Sequence, residues 1–373
     1  MDQLYFSCMV QSIRYSSRLP KALALAALCT AWGLGAGQAT ALDSAPPPTG
    51  RISALAWEVT DVGAGQVLAA QNPHRRLPPA STLKTLFALT VLPKLSADTV
   101  HTAAFEDLAS ITPGSSLVGV KEGIRYTVAD LWRGVFLGSG NDAVQTLARM
   151  NGGAARTMAQ MQGTAQRIGA HDTQVRTLDG FDARGQFSSA HDLSLIALEG
   201  LKSPAFRAYM GTKSAWFPER GGPGSFGIQN TNRLLVGSHD VAPYQGLIGV
   251  KNGYTSNAGN TLVAAATRNK RTILVTVMNP QSGSSNAVYE EGRALLDWGF
   301  ASPQPAKAAG PARPTTPAGH HGAPAKAAPA PVRSAESNSA HWAGAGIALL
   351  AAACVPLVWL RARRKQSQFP GAS

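Results

Sequence analysis

The order of patterns along the chain predicts an α+β domain: one antiparallel sheet built from both ends, flanked by helices, with a helical lobe inserted between them. Three observations carry this. Ile52 to Thr60 and Gln66 to Ala70 have strand character and flank a turn containing Gly63 and Gly65. Residues 246–253, 260–267 and 272–278 are short branched or apolar runs, the last two joined by Arg268, Asn269, Lys270 and Arg271. Between these groups, residues 96–240 hold helical patches such as Val128 to Leu137 and Ala143 to Met150, separated by glycine-rich loops. Residues 81–92 also read as helix. So do residues 287–299, with Val288, Leu295, Leu296 and Trp298 on the apolar face.

The segments outside this domain have other compositions. Arg14, Arg18 and Lys21 precede an Ala/Leu/Gly-rich stretch at residues 22–37, and Ala39-Thr40-Ala41 follows. This order is that of a secretory signal, so residues 1–41 are expected to be removed after Ala41; an uncleaved amino-terminal anchor is the alternative. Residues 302–341 contain 8 prolines and 12 alanines and almost no large apolar side chain. Such a segment buries too little surface to offset its ordering entropy. It reads as a disordered linker with an extended reach on the order of 100 Å. Its His320-His321 pair reads as solvated. Residues 342–360 carry no charge over 19 positions, enough to cross a ~30 Å hydrocarbon core as a helix. Arg361, Arg363, Arg364 and Lys365 follow within the tail 361–373. By the positive-inside tendency this predicts a single-pass membrane protein with residues 42–341 outside the cell membrane. No Leu-Pro-x-Thr-Gly precedes the apolar segment, which favours a permanent anchor over a wall-sorting signal.

The formal net charge of +13 would otherwise suggest nucleic acid as a partner. Most of it lies in the terminal segments, and only +4 falls within residues 42–301. A nucleic-acid reading is set aside on that distribution. Cys8, Cys29 and Cys354 also lie outside residues 42–301, so that domain has no disulfide framework, cysteine-based zinc site or thiol nucleophile.

Three short motifs within residues 42–301 carry chemistry. In Ser81-Thr82-Leu83-Lys84, positions three apart on a helix share a face, which puts an amine one turn from a hydroxyl. A serine is a weak nucleophile until a base takes its proton. Leu83, Leu86, Phe87 and Val91 make the surroundings apolar, and desolvation lowers a lysine pKa. Ser139-Gly140-Asn141 suits a tight loop between helices, and equally a plain turn. Lys251-Asn252-Gly253 ends the apolar run Leu247 to Val250, where a glycine lets other backbone approach closely. Each motif alone is weak, since a Ser-x-x-Lys arises about once by chance in a chain of this length.

Taken in order, the three resemble the Ser-x-x-Lys, Ser-x-Asn and Lys-Thr-Gly set of the penicillin-recognising serine enzymes. Within that superfamily the chain is similar to the low-molecular-weight D-alanyl-D-alanine carboxypeptidases over about residues 50–300. Pro79 to Lys84, Ser188 to Leu193, Asn230 to Leu235 and Gly249 to Thr255 carry the likeness. It implies a β-lactamase/transpeptidase-like fold and cleavage of the terminal D-alanine from peptidoglycan pentapeptide stems through an acyl-enzyme, blocked covalently by β-lactams. It calls for no cofactor and no metal. By resemblance, Ser81 is the nucleophile, Lys84 the general base and Ser139 the proton relay. Asn141, Lys251, Asn252, Gly253 and Tyr254 bind substrate, with the Ser81 and Tyr254 amides as oxyanion donors. Asn252 departs from the family's threonine, whose hydroxyl helps hold the substrate carboxylate. The additional β-rich domain of many relatives is missing.

Two rival readings stand beside this one. Class A β-lactamases carry a glutamate that prepares the deacylating water. No Glu-x-x-x-Asn follows Ser139, and Thr177 to Gln186 offers only Asp179 and Asp182. A non-catalytic binder of wall peptides or β-lactams would not need all the proton-handling residues. Asp142, His191 and Asp192 read as structural.

Overall fold

The computed structural model describes residues 46–219 and 224–305. The signal, membrane-span and tail expectations, and the linker beyond Pro305, lie outside the described residues. Among the described residues no helix is long and apolar enough to cross a membrane.

Strands β1 (Ala56–Asp61) and β2 (Gln66–Gln71) form the first hairpin. A 3₁₀ turn, Ala80–Leu83, then leads into α1 (Lys84–Val91). The lobe follows: β3 (Val100–Thr102), α2 (Phe105–Leu108), β4 (Arg125–Thr127), α3 (Val128–Leu137), α4 (Asn141–Met150) and α5 (Ala154–Arg167). Next come α6 (Ala190–Lys202), α7 (Pro204–Met210), β5 (Ser214–Pro218), β6 (Ser225–Gln229) and α8 (Arg233–Val236). The chain returns to the sheet through β7 (Leu247–Thr255), β8 (Gly259–Arg268) and β9 (Arg271–Met278), and α9 (Ala287–Ala301) closes it. The main sheet is antiparallel in the order β2-β1-β9-β8-β7, so strands from the two chain ends meet at β1–β9.

The elements start and stop where local chemistry dictates. Thr127 caps α3: its hydroxyl accepts from the Asp130 N–H, and the Asp130 carboxylate accepts from the Thr127 N–H. Asn269 and Lys270 both have positive φ, the geometry of a two-residue turn matched to strand twist. The first strand begins at Ala56 rather than Ile52, because Ser53 and Ala54 direct their N–H groups to the Glu291 carboxylate on α9. The two-stranded sheets β3–β4 and β5–β6 lie where the sequence suggested only helices and loops. β3 and β4, three residues each, are too short to show a period of two.

Both faces of the sheet are buried. On β8, Val263 and Ala265 face the helical lobe, whereas Leu262, Ala264 and Ala266 face α9. On β9, Leu274 and Met278 take the first side and Ile273, Val275 and Val277 the second. This explains why these strands read as continuous apolar runs rather than alternating ones. At the end of the sheet remote from Ser81, Arg271 Nε meets Asp61 at 2.8 Å, with both side chains nearly buried. Arg271 also donates to the Ser302 carbonyl, fastening the end of α9. Removing one partner leaves an uncompensated buried charge. Asp61→Asn is therefore expected to destabilise the domain by about 3 kcal/mol in urea unfolding.

Candidate active site

The turn Ala80–Leu83 presents Ser81. Thr82 Oγ1 donates to the Pro79 carbonyl at 2.6 Å, and Thr261 Oγ1 on β8 donates to the same oxygen at 3.0 Å. The α-helix starts only at Lys84, three residues later than the periodicity suggested. The change suits the pair, since side chains three apart eclipse on a 3₁₀ turn. Lys84 Nζ lies 2.8 Å from Ser81 Oγ and 2.8 Å from the Asp179 carbonyl oxygen.

Lys84 is 1% exposed. Burial disfavours its ammonium form and brings its pKa down to about 8, against the opposing pull of Asp179 and Asp142. The amine therefore has an acceptor on one side, the serine on the other, and an accessible neutral state.

The acceptor comes from a loop that the sequence reading weighed only for its carboxylates, Asp179 and Asp182. Gln186 Oε1 accepts from the Arg176 and Thr177 N–H groups, and Gln186 Nε2 donates to the Phe181 carbonyl, folding residues 176–186 on themselves. Asp179 Oδ1 accepts from the Phe181 N–H at 2.9 Å. Asp182 is bonded to Thr255 Oγ1 and the Asn257 N–H, tying the loop to the end of β7. Gly180 has φ +89°, and a Cβ there would fall 1.8 Å from the Ala80 carbonyl oxygen. Any side chain at position 180 would push the loop off the nucleophile turn.

Ser139 and Asn141 flank the start of α4. Ser139 has φ 56° and is buried. Ser139 Oγ and Asn141 Oδ1 are buried without a hydrogen-bond partner in the protein. Unpaired buried polar atoms are uncommon and mark a place where a ligand or water completes the set. The next residue, Asp142, accepts from the Val118, Gly119 and Val120 N–H groups at 3.0, 2.7 and 2.8 Å. It pins residues 118–120 against Gly140, where a Cβ would meet Val118 at 2.8 Å. Asp142 thus has the structural part expected of it. Asp192 likewise accepts from Thr173 Oγ1 at 2.7 Å, and His191 Nδ1 meets buried Glu58 at 2.9 Å.

β7 supplies the third wall. Lys251 is 1% exposed, and its Nζ donates to the Asn252 carbonyl at 2.8 Å. Burial, helped by the charge of Lys84, pushes its pKa well below the ordinary lysine value. Gly253 lies against the nucleophile turn: a Cβ there would sit 2.7 Å from the Ser81 nitrogen and 2.7 Å from Thr261 Oγ1. Asn252 Oδ1 accepts from Thr231 Oγ1 at 3.1 Å. The Tyr254 side chain is 67% exposed at the rim. The structure thus packs Gly253 directly on Ser81 and puts Lys84 within electrostatic range of both Lys251 and Asp142. Sequence reasoning missed Thr261, Gly180 and the Asp179 carbonyl. Only a glycine after an aspartate hinted at the last two, and a main-chain acceptor leaves no residue-type signal.

A family model for D-alanyl-D-alanine carboxypeptidases (peptidase S11) matches residues 40–282. D-alanyl-D-alanine carboxypeptidase DacB2 of Mycobacterium tuberculosis is 37% identical over 262 residues, covering 69% of this chain and 85% of that protein. The DacD carboxypeptidase of Escherichia coli is 32% identical over 291 residues, covering 75% and 72%. Among solved structures, a D-alanyl-D-alanine carboxypeptidase from Mycobacterium tuberculosis superposes with TM-score 0.62 at 37% identity, covering 70% of this chain and 95% of that one. The Streptomyces K15 DD-transpeptidase does so with TM-score 0.63 at 28% identity, covering 69% and 100%. With the family model matched over residues 40–282 and a relative 37% identical over 85% of its length, the chain belongs to the D-alanyl-D-alanine carboxypeptidase family of serine peptidases.

Proposed function

We propose that this chain is a penicillin-sensitive serine D-Ala-D-Ala carboxypeptidase in which Ser81 takes the acyl group of a peptidoglycan stem and releases the terminal D-alanine. The observation that carries the reading is the Lys84 amine, buried and 2.8 Å from Ser81 Oγ. In its neutral form Lys84 removes the serine proton as Ser81 attacks the carbonyl between the two D-alanines. The Ser81 and Tyr254 N–H groups receive the developing oxyanion, a contribution of about 3–4 kcal/mol per donor. The contact of Gly253 with the Ser81 nitrogen supports this pairing. Ser139 passes a proton to the leaving amine, and Asn141 holds the stem backbone. Lys251 acts through the strand, holding the Asn252 carbonyl. Water then releases the acyl group, whereas a β-lactam leaves the serine blocked.

β-Lactamase chemistry would need a carboxylate to prepare water. Both carboxylates of the 176–186 loop are engaged in bonds that hold the loop, so the carboxypeptidase reading is preferred. The terminal segments complete the proposal. Residues 1–41 direct export, residues 42–301 form the catalytic domain, residues 302–341 act as a spacer, residues 342–360 anchor the enzyme in the cell membrane, and residues 361–373 stay cytoplasmic. Their composition supports this arrangement.

Ser81→Ala is expected to abolish both D-alanine release from a muramyl pentapeptide and covalent labelling by fluorescent penicillin. Labelling of the variant would remove Ser81 from its role. The pH profile follows from Lys84. The active form is the neutral amine, so kcat/KM rises about tenfold per unit below pH 8 and levels off above it. Lys84→Arg, which stays charged, is expected to lose the rising limb together with the activity.

A further inference from the structure

Away from the Ser81 site, four segments bring two imidazoles together. His74 lies in the connection between β2 and the nucleophile turn, and His191 in the first turn of α6. Their ring centroids are 4.7 Å apart, with the planes tilted by 52°. Glu58 on β1 and Asp172, between α5 and α6, hold them. His191 Nδ1 meets Glu58 Oε2 at 2.9 Å, and His74 Nδ1 meets Asp172 Oδ2 at 2.9 Å.

These bonds fix the tautomers. A carboxylate only accepts, so each Nδ1 carries a proton and each Nε2 holds the lone pair of the neutral ring. Among the described residues neither Nε2 has a hydrogen-bond partner. The other carboxylate oxygens are occupied: Glu58 Oε1 accepts from Thr60 Oγ1 at 3.1 Å, and Asp172 Oδ1 faces Arg76 Nε at 3.4 Å. An imidazole with its Nδ1 proton on a carboxylate is the usual form of a metal-ligating histidine, oriented and more basic at Nε2. Here that arrangement occurs twice, side by side. Two imidazoles sharing one tetrahedral zinc ion at about 2.0–2.1 Å have centroids about 5 Å apart, close to the spacing observed. The charge agrees, since two carboxylates in the cluster outweigh one guanidinium. His74 is 65% exposed, which gives a cation access from solvent.

We infer that His74 and His191 form a chelate for a divalent transition-metal ion of the zinc or copper class, with Glu58 and Asp172 positioning the rings and water completing the coordination. Among the described residues no group of three or more histidine, cysteine or carboxylate side chains could hold a metal, so the protein supplies two ligands only. Imidazole nitrogen selects such ions over calcium and magnesium, which take oxygen ligands. The ion acts as a brace. The His191 N–H donates to the Pro73 carbonyl at 3.0 Å, and Leu77 and Ser188 exchange backbone bonds of 2.9 Å in both directions. The chelate therefore fastens α6 to the segment that runs into Ser81, without touching the reacting atoms.

The test uses the full chain, stripped with a chelator and titrated with zinc chloride by calorimetry and thermal unfolding. His320→Ala/His321→Ala serves as the background, because it removes a second pair of adjacent histidines. On that background one zinc ion per chain is expected, raising Tm by about 5 °C or more at a hundredfold excess over Kd. Calcium and magnesium should leave Tm unchanged. His74→Ala, at an exposed position that the fold does not need, should weaken zinc binding about tenfold or more, and adding His191→Ala should cost little further. Asp172→Asn, which keeps both imidazoles, should weaken it about tenfold. With copper(II), electron paramagnetic resonance should show two coordinated nitrogens in the background protein and one after His74→Ala. Unchanged zinc affinity in His74→Ala, a copper signal indifferent to that substitution, or equal stabilisation by calcium would overturn the inference.

Discussion

Burying the amine of Lys84 is the constraint around which the site is organised. An ammonium group taken out of water is costly unless acceptors surround it, and a neutral amine still needs partners. Two are supplied, Ser81 Oγ and the Asp179 carbonyl. The second exists only because Gln186 folds the 176–186 loop and Gly180 lets it press on Ala80. Ser81, Lys84 and the loop therefore form one mechanical unit. The apolar side chains that desolvate Lys84, Leu83 and Phe87 among them, are also core residues of the lobe. Packing energy and catalytic poise come from the same contacts.

The sheet distributes the remaining chemistry by its alternation. β7 is the edge strand of the sheet. Its two faces divide the labour: Gly253 is pressed on Ser81 on one, and Asn252 borders an open cavity on the other. Thr261 on the neighbouring strand bonds the Pro79 carbonyl and fixes the height of the nucleophile turn against β7. At the far end, Arg271 and Asp61 lock the strand ends to α9. The end of the sheet that carries no chemistry is closed by a buried ion pair, and the end that does is held by glycines and hydroxyls that leave room for substrate.

Much of this was legible in the chain. Apolar periodicity located α3 and α9 and the three late strands to within a residue or two, because these elements bury continuous faces. The three motifs were readable because each chemical role demands a residue type at a fixed spacing. The 3₁₀ start of α1 was not, since the Pro79 carbonyl is held by Thr82 nearby and also by Thr261, 182 residues away. Nor were the two-stranded sheets or Asp179, whose contribution is a backbone oxygen.

What the sequence determined by itself was the chemistry available: one serine with a lysine three residues on, a second serine and an asparagine, and a lysine-glycine strand, in a domain without cysteine. Tertiary structure alone decided how those groups were charged and which way they faced. It buried Lys84 and Lys251 and so lowered the pKa of both amines. It enclosed Lys251 and set Asn252 on the wall of an open cavity. The reason is physical. A residue's type is local, but its desolvation and its partners depend on atoms brought together from the whole chain.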